Sequence, residues 1–144
     1  MRDKISIGVG AVVFRGEEVL VIKRGKPPFL DQWSIPGGGL HYGERLLDAV
    51  AREVREETGV EISILGLLDV FEAPPFEADG EILNHTLLID YIADWVSGEV
   101  VAGDDAAAAE FVSFEEAQQR LSWNVTRQAV ARAAEWRARF RQRP

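Results

Sequence analysis

Apolar and polar positions along the chain fall into runs of two different periods. Ile5 to Phe14 is mostly β-branched or small, which predicts a strand. Arg15-Gly16-Glu17 predicts a turn, and Val19 to Ile22 a second strand. Lys23 to Asp31, with Gly25 and Pro27-Pro28, predicts a loop. Trp33-Ser34-Ile35 reads as a short extended piece stopped by Pro36, and Gly37-Gly38-Gly39 as a loop, because glycine adopts conformations closed to other residues. From Glu44 to Thr58 the apolar spacing turns helical, and Gly59 is a suitable stop. Glu61 to Phe71 predicts a strand, Ala73 to Gly80 a Pro- and acid-rich loop, and Ile82 to Val96 a long strand pairing with the one before. Gly103 to Ala109 predicts a small-residue loop and Glu110 to Phe114 a short strand. Ser113-Phe114-Glu115-Glu116 carries the sequence of a capped helical turn, and a last helix is expected from about Val125 to Phe140. Strands with interspersed helices, and no repeat or linker, predict one layered α/β domain over residues 1–144, with a mixed sheet of the α+β kind.

Composition narrows the class of protein. The chain has 144 residues, no cysteine, 47% hydrophobic and 28% charged residues, an ordinary globular mix. The missing cysteines exclude a disulfide scaffold, a zinc-thiolate site and a thiol nucleophile. No apolar run approaches the ~20 residues of a membrane span. The first apolar run is broken by Ser6, Gly8 and Gly10 and lacks a convincing cleavage site, so it reads as a strand, and a cytoplasmic location is expected. Six arginines against one glutamate give Val125 to Pro144 a charge of +5, so the rest of the chain holds −13 of the net −8. An acidic body argues against nucleic-acid binding and would repel a polyphosphate unless metal cations intervene. The basic tail is expected to be the solvated face of the terminal helix.

The chemistry concentrates in Gly38 to Val60. On a helical wheel Glu53, Glu56 and Glu57 stand at i, i+3 and i+4 and share one face. Leu46, Val50, Val54, Leu47 and Ala51 form an apolar stripe beside them, with Arg55 and Asp48 on the solvent side. Like charges at i and i+4 cost roughly 0.2–0.5 kcal/mol per pair, and these lie near the helix C-terminus, the wrong end for negative charge. The cluster needs a compensating cation. Arg52 alone does not balance it, whereas a hard divalent ion does, and Mg²⁺ is usual where phosphates share the coordination. The competing reading is a solvated acidic edge paired to arginines.

The full spacing is G-x5-E-x7-R-E-V-x-E-E-x-G-V, from Gly38 through Glu44, Arg52, Glu53, Val54, Glu56, Glu57 and Gly59 to Val60. Nine such positions match by chance roughly once in 10⁹ starts. The segment resembles the signature of the Nudix hydrolases, and Trp33 to Gly38 is similar to the usual lead-in. The resemblance covers essentially the whole chain. It implies an α/β/α sandwich and Mg²⁺-dependent hydrolysis of a nucleoside diphosphate linked to another group X, with Mn²⁺ as a substitute metal. It implies Glu56 and Glu57 as metal ligands, Glu53 as a further ligand or the base, a carbonyl of the Gly37-Gly38 turn (Gly38) completing the shell, and Arg52 orienting the carboxylates. Glu44 is then structural, close to Arg52.

Members of the family often add an acid from a later loop. Glu110 is the candidate here, with Asp104 and Asp105 as rivals. Arg24 is a candidate for a substrate phosphate, and Lys26 a weaker one. His41 and His85 read as satisfied polar residues. Trp33 is expected beside the box helix, Trp95 and Trp123 in the core, and Trp136 packing the last helix on the sheet or on another subunit. Phe29, Phe71, Phe76 and Tyr91 read as core or loop anchors, with base stacking as the alternative. Pro75, sixteen residues after Gly59, and the stretch from Leu65 to Gly98 resemble the bacterial ADP-ribose pyrophosphatase-like subgroup, which favours ADP-ribose cleaved to AMP and ribose 5-phosphate and makes a homodimer conceivable. A nucleoside-triphosphate pyrophosphohydrolase of the housecleaning type is the runner-up. A non-catalytic ligand-sensing or interaction module is a reading of another class, opposed by the intact box.

Overall fold

The computed structural model describes residues 4–27, 29–73, 77–82 and 84–141. In chain order the elements are β1 (Ser6–Arg15), β2 (Glu18–Arg24), β3 (Trp33–Ser34), β4 (Gly37–Gly39), α1 (Leu46–Thr58), β5 (Glu61–Glu72), β6 (Glu77–Ala78), β7 (Glu81–Ile82), β8 (Thr86–Ser97), β9 (Ala106–Ser113), α2 (Phe114–Arg120) and α3 (Asn124–Arg141).

β1 is the centre of the main sheet. It runs parallel to β8 over Ser6 to Phe14, and β5 lies antiparallel on the far side of β8. On its other edge the N-terminal half of β1 pairs with β4 and the C-terminal end with β2, through a turn in which Gly16 takes φ 61°. β2 carries β3 and β9, both antiparallel, and β6 and β7 pair separately. The sheet is therefore mixed. Val9, Ala11 and Val13 of β1 join a core with Ala49, Val50 and Val54 of α1, whereas Val12 and Phe14 join a core with Ala117, Leu121, Val130 and Ala133 from the α2–α3 side. Both faces of β1 are covered, which is why its sequence shows no polar alternation. The result is the expected α/β/α sandwich. Among the described residues no helix is long and apolar enough to cross a membrane.

Local signals explain the boundaries. Gly59 closes α1 in the left-handed region at φ 75°, its N–H donating to the Arg55 carbonyl. Ser113 caps α2, its Oγ accepting the Glu116 N–H at 3.1 Å. Four expectations are corrected. Gly37-Gly38-Gly39 is a strand, not a loop: a Cβ on Gly37 would stand 2.4 Å from the Val9 carbonyl oxygen, so only glycine lets this backbone approach β1 so closely. Leu47 is 52% exposed, because the buried stripe of α1 is Ala49, Val50, Glu53, Val54, Glu57 and Thr58. β9 begins at Ala106, its small residues pairing with β2 where a loop was expected. Trp33 packs on the α2–α3 side, under the Arg120 guanidinium, and not beside α1.

Candidate active site

The buried stripe of α1 contains two of the three expected carboxylates. Glu53 is 9% and Glu57 5% exposed, while Glu56 faces solvent. The glycines of β4 make this possible. A Cβ on Gly38 would lie 2.4–2.7 Å from the Glu53 carboxyl group, so the missing side chain is the space Glu53 occupies. The Gly37 N–H donates to Glu57 Oε1 at 2.7 Å. The Gly-rich segment is thus a cradle for carboxylates as well as a strand.

Arg52 organises the outer part of the cluster. Its Nε and Nη2 donate to Glu44 at 2.7 and 2.9 Å, its Nη1 to Glu53 at 2.8 Å and Glu56 at 3.2 Å, and its Nη2 to the Gly39 carbonyl at 3.0 Å. Five contacts use all five guanidinium N–H groups. The bond from Arg52 holds the Glu44 carboxyl down at about 2, with burial opposing and the His41 N–H assisting. Glu57 behaves in the opposite way. Burial pushes it up to about 7; the Gly37 N–H and Arg24 oppose this, while Glu53 and Asp104 add to it. Burial also raises Glu53, with Arg52 opposing. Two carboxyl groups are therefore held in a dry, negative environment that one arginine does not neutralise.

The donor set suits a hard divalent cation: oxygen atoms of Glu53, Glu56 and Glu57 along one helix edge, with the backbone of Gly37–Gly39 facing them. As they stand, Arg52 holds Glu53 and Glu56, and Gly37 holds Glu57. Among the described residues no three acidic side chains converge on one point. Arg52 engages only one oxygen of Glu56, Oε2, at 3.2 Å.

The structure brings Arg24 and Asp104 to this cluster, since both act on Glu57 through space. The turn bearing Asp104 is pinned to the end of α1: the Gly103 N–H donates to the Glu57 carbonyl at 3.0 Å, and Asp104 takes φ 53°. Asp105 pairs with Lys26 at 2.9 Å. Glu110 is not brought to the box. Phe111 of β9 faces the α1 core and Val112 the α2 core, so alternation puts Glu110 on the α2 face, where the Arg120 Nη1 donates to it at 2.7 Å. Pro75 and Phe76 lie outside the described residues. His41 is exposed, 3.9 Å from Glu44.

A cleft of about 420 Å³ opens along β4, lined among others by Arg24, Gly37, Gly38, Phe29, Trp123 and Asp90. Phe29 and Trp123 meet edge to face, ring centres 5.2 Å apart, with Phe29 at φ 68°. Trp123, expected in the core, belongs to this wall. Asp90 was not singled out from the sequence, although a lone acid within the apolar run Leu87 to Ala93 is a legible signal. Tyr91 is core, and Phe71 lies under the Arg132 guanidinium. A wider groove of about 780 Å³ lies near Arg15, Trp95 and Phe111; neither hollow is lined by Glu53, Glu56 or Glu57, and only the smaller one is lined by Gly37–Gly39.

The NUDIX domain pattern matches residues 4–133. The chain belongs to the NUDIX domain family. An ADP-ribose pyrophosphatase from Methanocaldococcus jannaschii is 37% identical over 106 residues, 74% of this chain and 60% of that protein. The 8-oxo-dGDP phosphatase NUDT18 from Danio rerio is 38% identical over 76 residues, 52% of this chain and 23% of that protein. The chain thus spans less than two-thirds of either relative. The crystal structure of a MutT NUDIX hydrolase from Burkholderia pseudomallei has a TM-score of 0.73 and 27% identity, over 90% of this chain and 98% of that one. The segment Gly38 to Val60, whose spacing resembles the family signature, spans β4 and α1.

Proposed function

We propose that this NUDIX domain is a divalent-metal-dependent pyrophosphohydrolase acting on a nucleoside diphosphate linked to X, with ADP-ribose as substrate and AMP and ribose 5-phosphate as products. The observation that carries the reading is the burial of Glu53 and Glu57 against the Gly37-Gly38 backbone, with a nucleotide-sized cleft on the same strand. The name of the M. jannaschii relative favours ADP-ribose over other substrates. The name of the zebrafish relative supports the second reading, a nucleoside-triphosphate pyrophosphohydrolase of the housecleaning type.

Glu56 and Glu57 would hold Mg²⁺ or Mn²⁺, with the Gly38 carbonyl as a further donor. Such a cation neutralises the diphosphate and lowers the pKa of bound water. The chain's own groups do the remaining work. Arg24 lines the cleft and acts on Glu57, which places a positive charge where a phosphate enters. Glu53 is the base that takes a proton from the attacking water, and Arg52 keeps its carboxyl in position. Water adds to one phosphorus, the bridging P–O bond breaks, and the proton passes to a carboxylate. Asp104 replaces Glu110 as the acid outside the box.

A substrate panel tests this. ADP-ribose, NTPs and dNTPs including oxidised dGTP, NADH, diadenosine polyphosphates and nucleotide sugars are incubated with Mg²⁺ or EDTA, and products separated by chromatography. AMP from ADP-ribose, abolished by EDTA, is the expected result. Pyrophosphate from an NTP in preference shifts the assignment to the second reading. No turnover of any substrate refutes the hydrolase.

A further inference from the structure

Asp90 is a carboxyl group that the mechanism above does not use. It sits on β8, in the middle of the sheet, and is 5% exposed. No described residue donates a hydrogen bond to its side chain, and burial alone pushes it up to about 7. Its place is made by Gly10 beside it on β1: a Cβ there would fall 2.8 Å from Asp90 Oδ1. Thr86, Leu88 and Asp90 share one face of β8, and all three line the cleft that Phe29 and Trp123 wall. No fully enclosed side-chain oxygen among the described residues lacks a partner, so the Asp90 carboxyl oxygens reach the cleft, and a carboxyl desolvated this far at a strand centre is costly unless a ligand supplies donors.

We infer that Asp90 is the specificity-determining anchor of a nucleobase subsite, in which a base carrying an exocyclic amine donates N–H bonds to its carboxyl group. The inference deepens the proposed function and rests on its reading of the cleft as the nucleotide site. Three features of the cleft agree with it. The flat faces of Phe29 and Trp123 suit a planar ring. The room left by Gly10 is taken by the carboxyl itself and that left by Gly8 by the Leu88 side chain, so the β1 backbone lies close beside both. Arg24, Gly37 and Gly38 line the same cleft, and the Gly37 N–H also holds Glu57, so a ring at Asp90 lies along the strand that borders the carboxylates. Adenine and guanine share the amine. Once the carboxyl is ionised, above about pH 7, a base that offers only carbonyl oxygens at that edge faces an acceptor with an acceptor.

Binding without metal tests this independently of hydrolysis. Trp123 is one of four tryptophans and lines the cleft, so intrinsic fluorescence is titrated in EDTA at about pH 8.5, where the carboxyl is ionised, with AMP and with purine riboside 5′-monophosphate, which lacks the 6-amino group. GMP and IMP form the parallel pair for the 2-amino group. Wild-type protein should bind one aminated member about 10- to 100-fold more tightly than its deaminated partner, the range for a hydrogen bond to a charged group. The pair that discriminates names the base. Asp90→Ala should erase the ratio, and Asp90→Asn, which keeps one acceptor oxygen, should reduce it. Equal affinities within both pairs, no binding of either aminated nucleotide, or an unchanged ratio in Asp90→Ala would overturn the inference. If Asp90→Ala fails to fold, the wild-type ratios and Asp90→Asn decide. Preferential binding with no Mg²⁺-dependent turnover refutes the hydrolase and spares the subsite; turnover without amine preference does the reverse.

Discussion

The buried Asp90 carboxyl has a thermodynamic signature that needs no ligand. In the folded protein burial raises it to about 7, while the ordinary value of an unfolded aspartate is 3.8. The folded state therefore keeps a proton that the unfolded chain releases, and stability must fall as pH rises. As far as this group is concerned, full stability is present below pH ~3.8 and is lost as pH climbs through about 7. A difference of about three pK units corresponds to about 4 kcal/mol at complete ionisation. Roughly two-thirds of that loss falls between about pH 5 and about pH 8.5. The side chain lines an open cleft, and water there reduces the penalty, so about 2 kcal/mol is expected over this range. Asp90→Asn has nearly the same shape and never ionises. Urea unfolding of both proteins across this range measures the difference. With a slope of ~2 kcal/mol/M, the midpoint of Asp90→Asn should gain about 1 M on wild type between the two ends of the range. Other titrating carboxylates cancel in the comparison. Parallel curves for the two proteins would show that the carboxyl is solvated or paired, and would refute the account of the cleft floor.

Four further outcomes follow from the site. Glu57→Gln should cut Mg²⁺-dependent turnover by about 10²-fold or more with little loss of fold, measured by kinetics beside circular dichroism; wild-type turnover would sink the metal assignment. Gly38→Ala puts a methyl 2.4–2.7 Å from the Glu53 carboxyl group and should expel that side chain, abolishing activity at a stability cost of ~1–3 kcal/mol; an active variant would show that Glu53 works elsewhere. Asp104→Asn should lower kcat more than Glu110→Gln, because Glu110 is committed to Arg120 on the other face; the reverse order would restore Glu110 as the distal acid. Ser113→Ala should lose ~1 kcal/mol by urea unfolding without changing kcat, as expected for a cap remote from the box.

Much of this protein was determined by the sequence alone. Helix period and the Gly59 stop define α1, a run of mostly β-branched or small residues defines the doubly covered β1, and the spacing of Glu44, Arg52, Glu53, Glu56 and Glu57 puts an acidic edge on one helix with its arginine beside it. These are local properties: they depend on periods of two and 3.6 residues and on the conformational habits of glycine. Tertiary structure decided the rest. Whether Gly37-Gly38-Gly39 is a loop or a strand depends on β1 standing within 2.4 Å of where a side chain would be, a contact no local pattern records. Whether Glu53 and Glu57 sit at an edge or inside depends on the same strand. Glu110 is the candidate that the family resemblance offers beside Asp104 and Asp105, but the alternation of β9 puts it on the α2 face, paired with Arg120. Trp123 and Phe29 are nearly a hundred residues apart and become a wall only when α3 packs back on the sheet. Asp90 becomes informative only in place, since an acid in an apolar strand gains meaning from the glycine beside it and the empty volume above it.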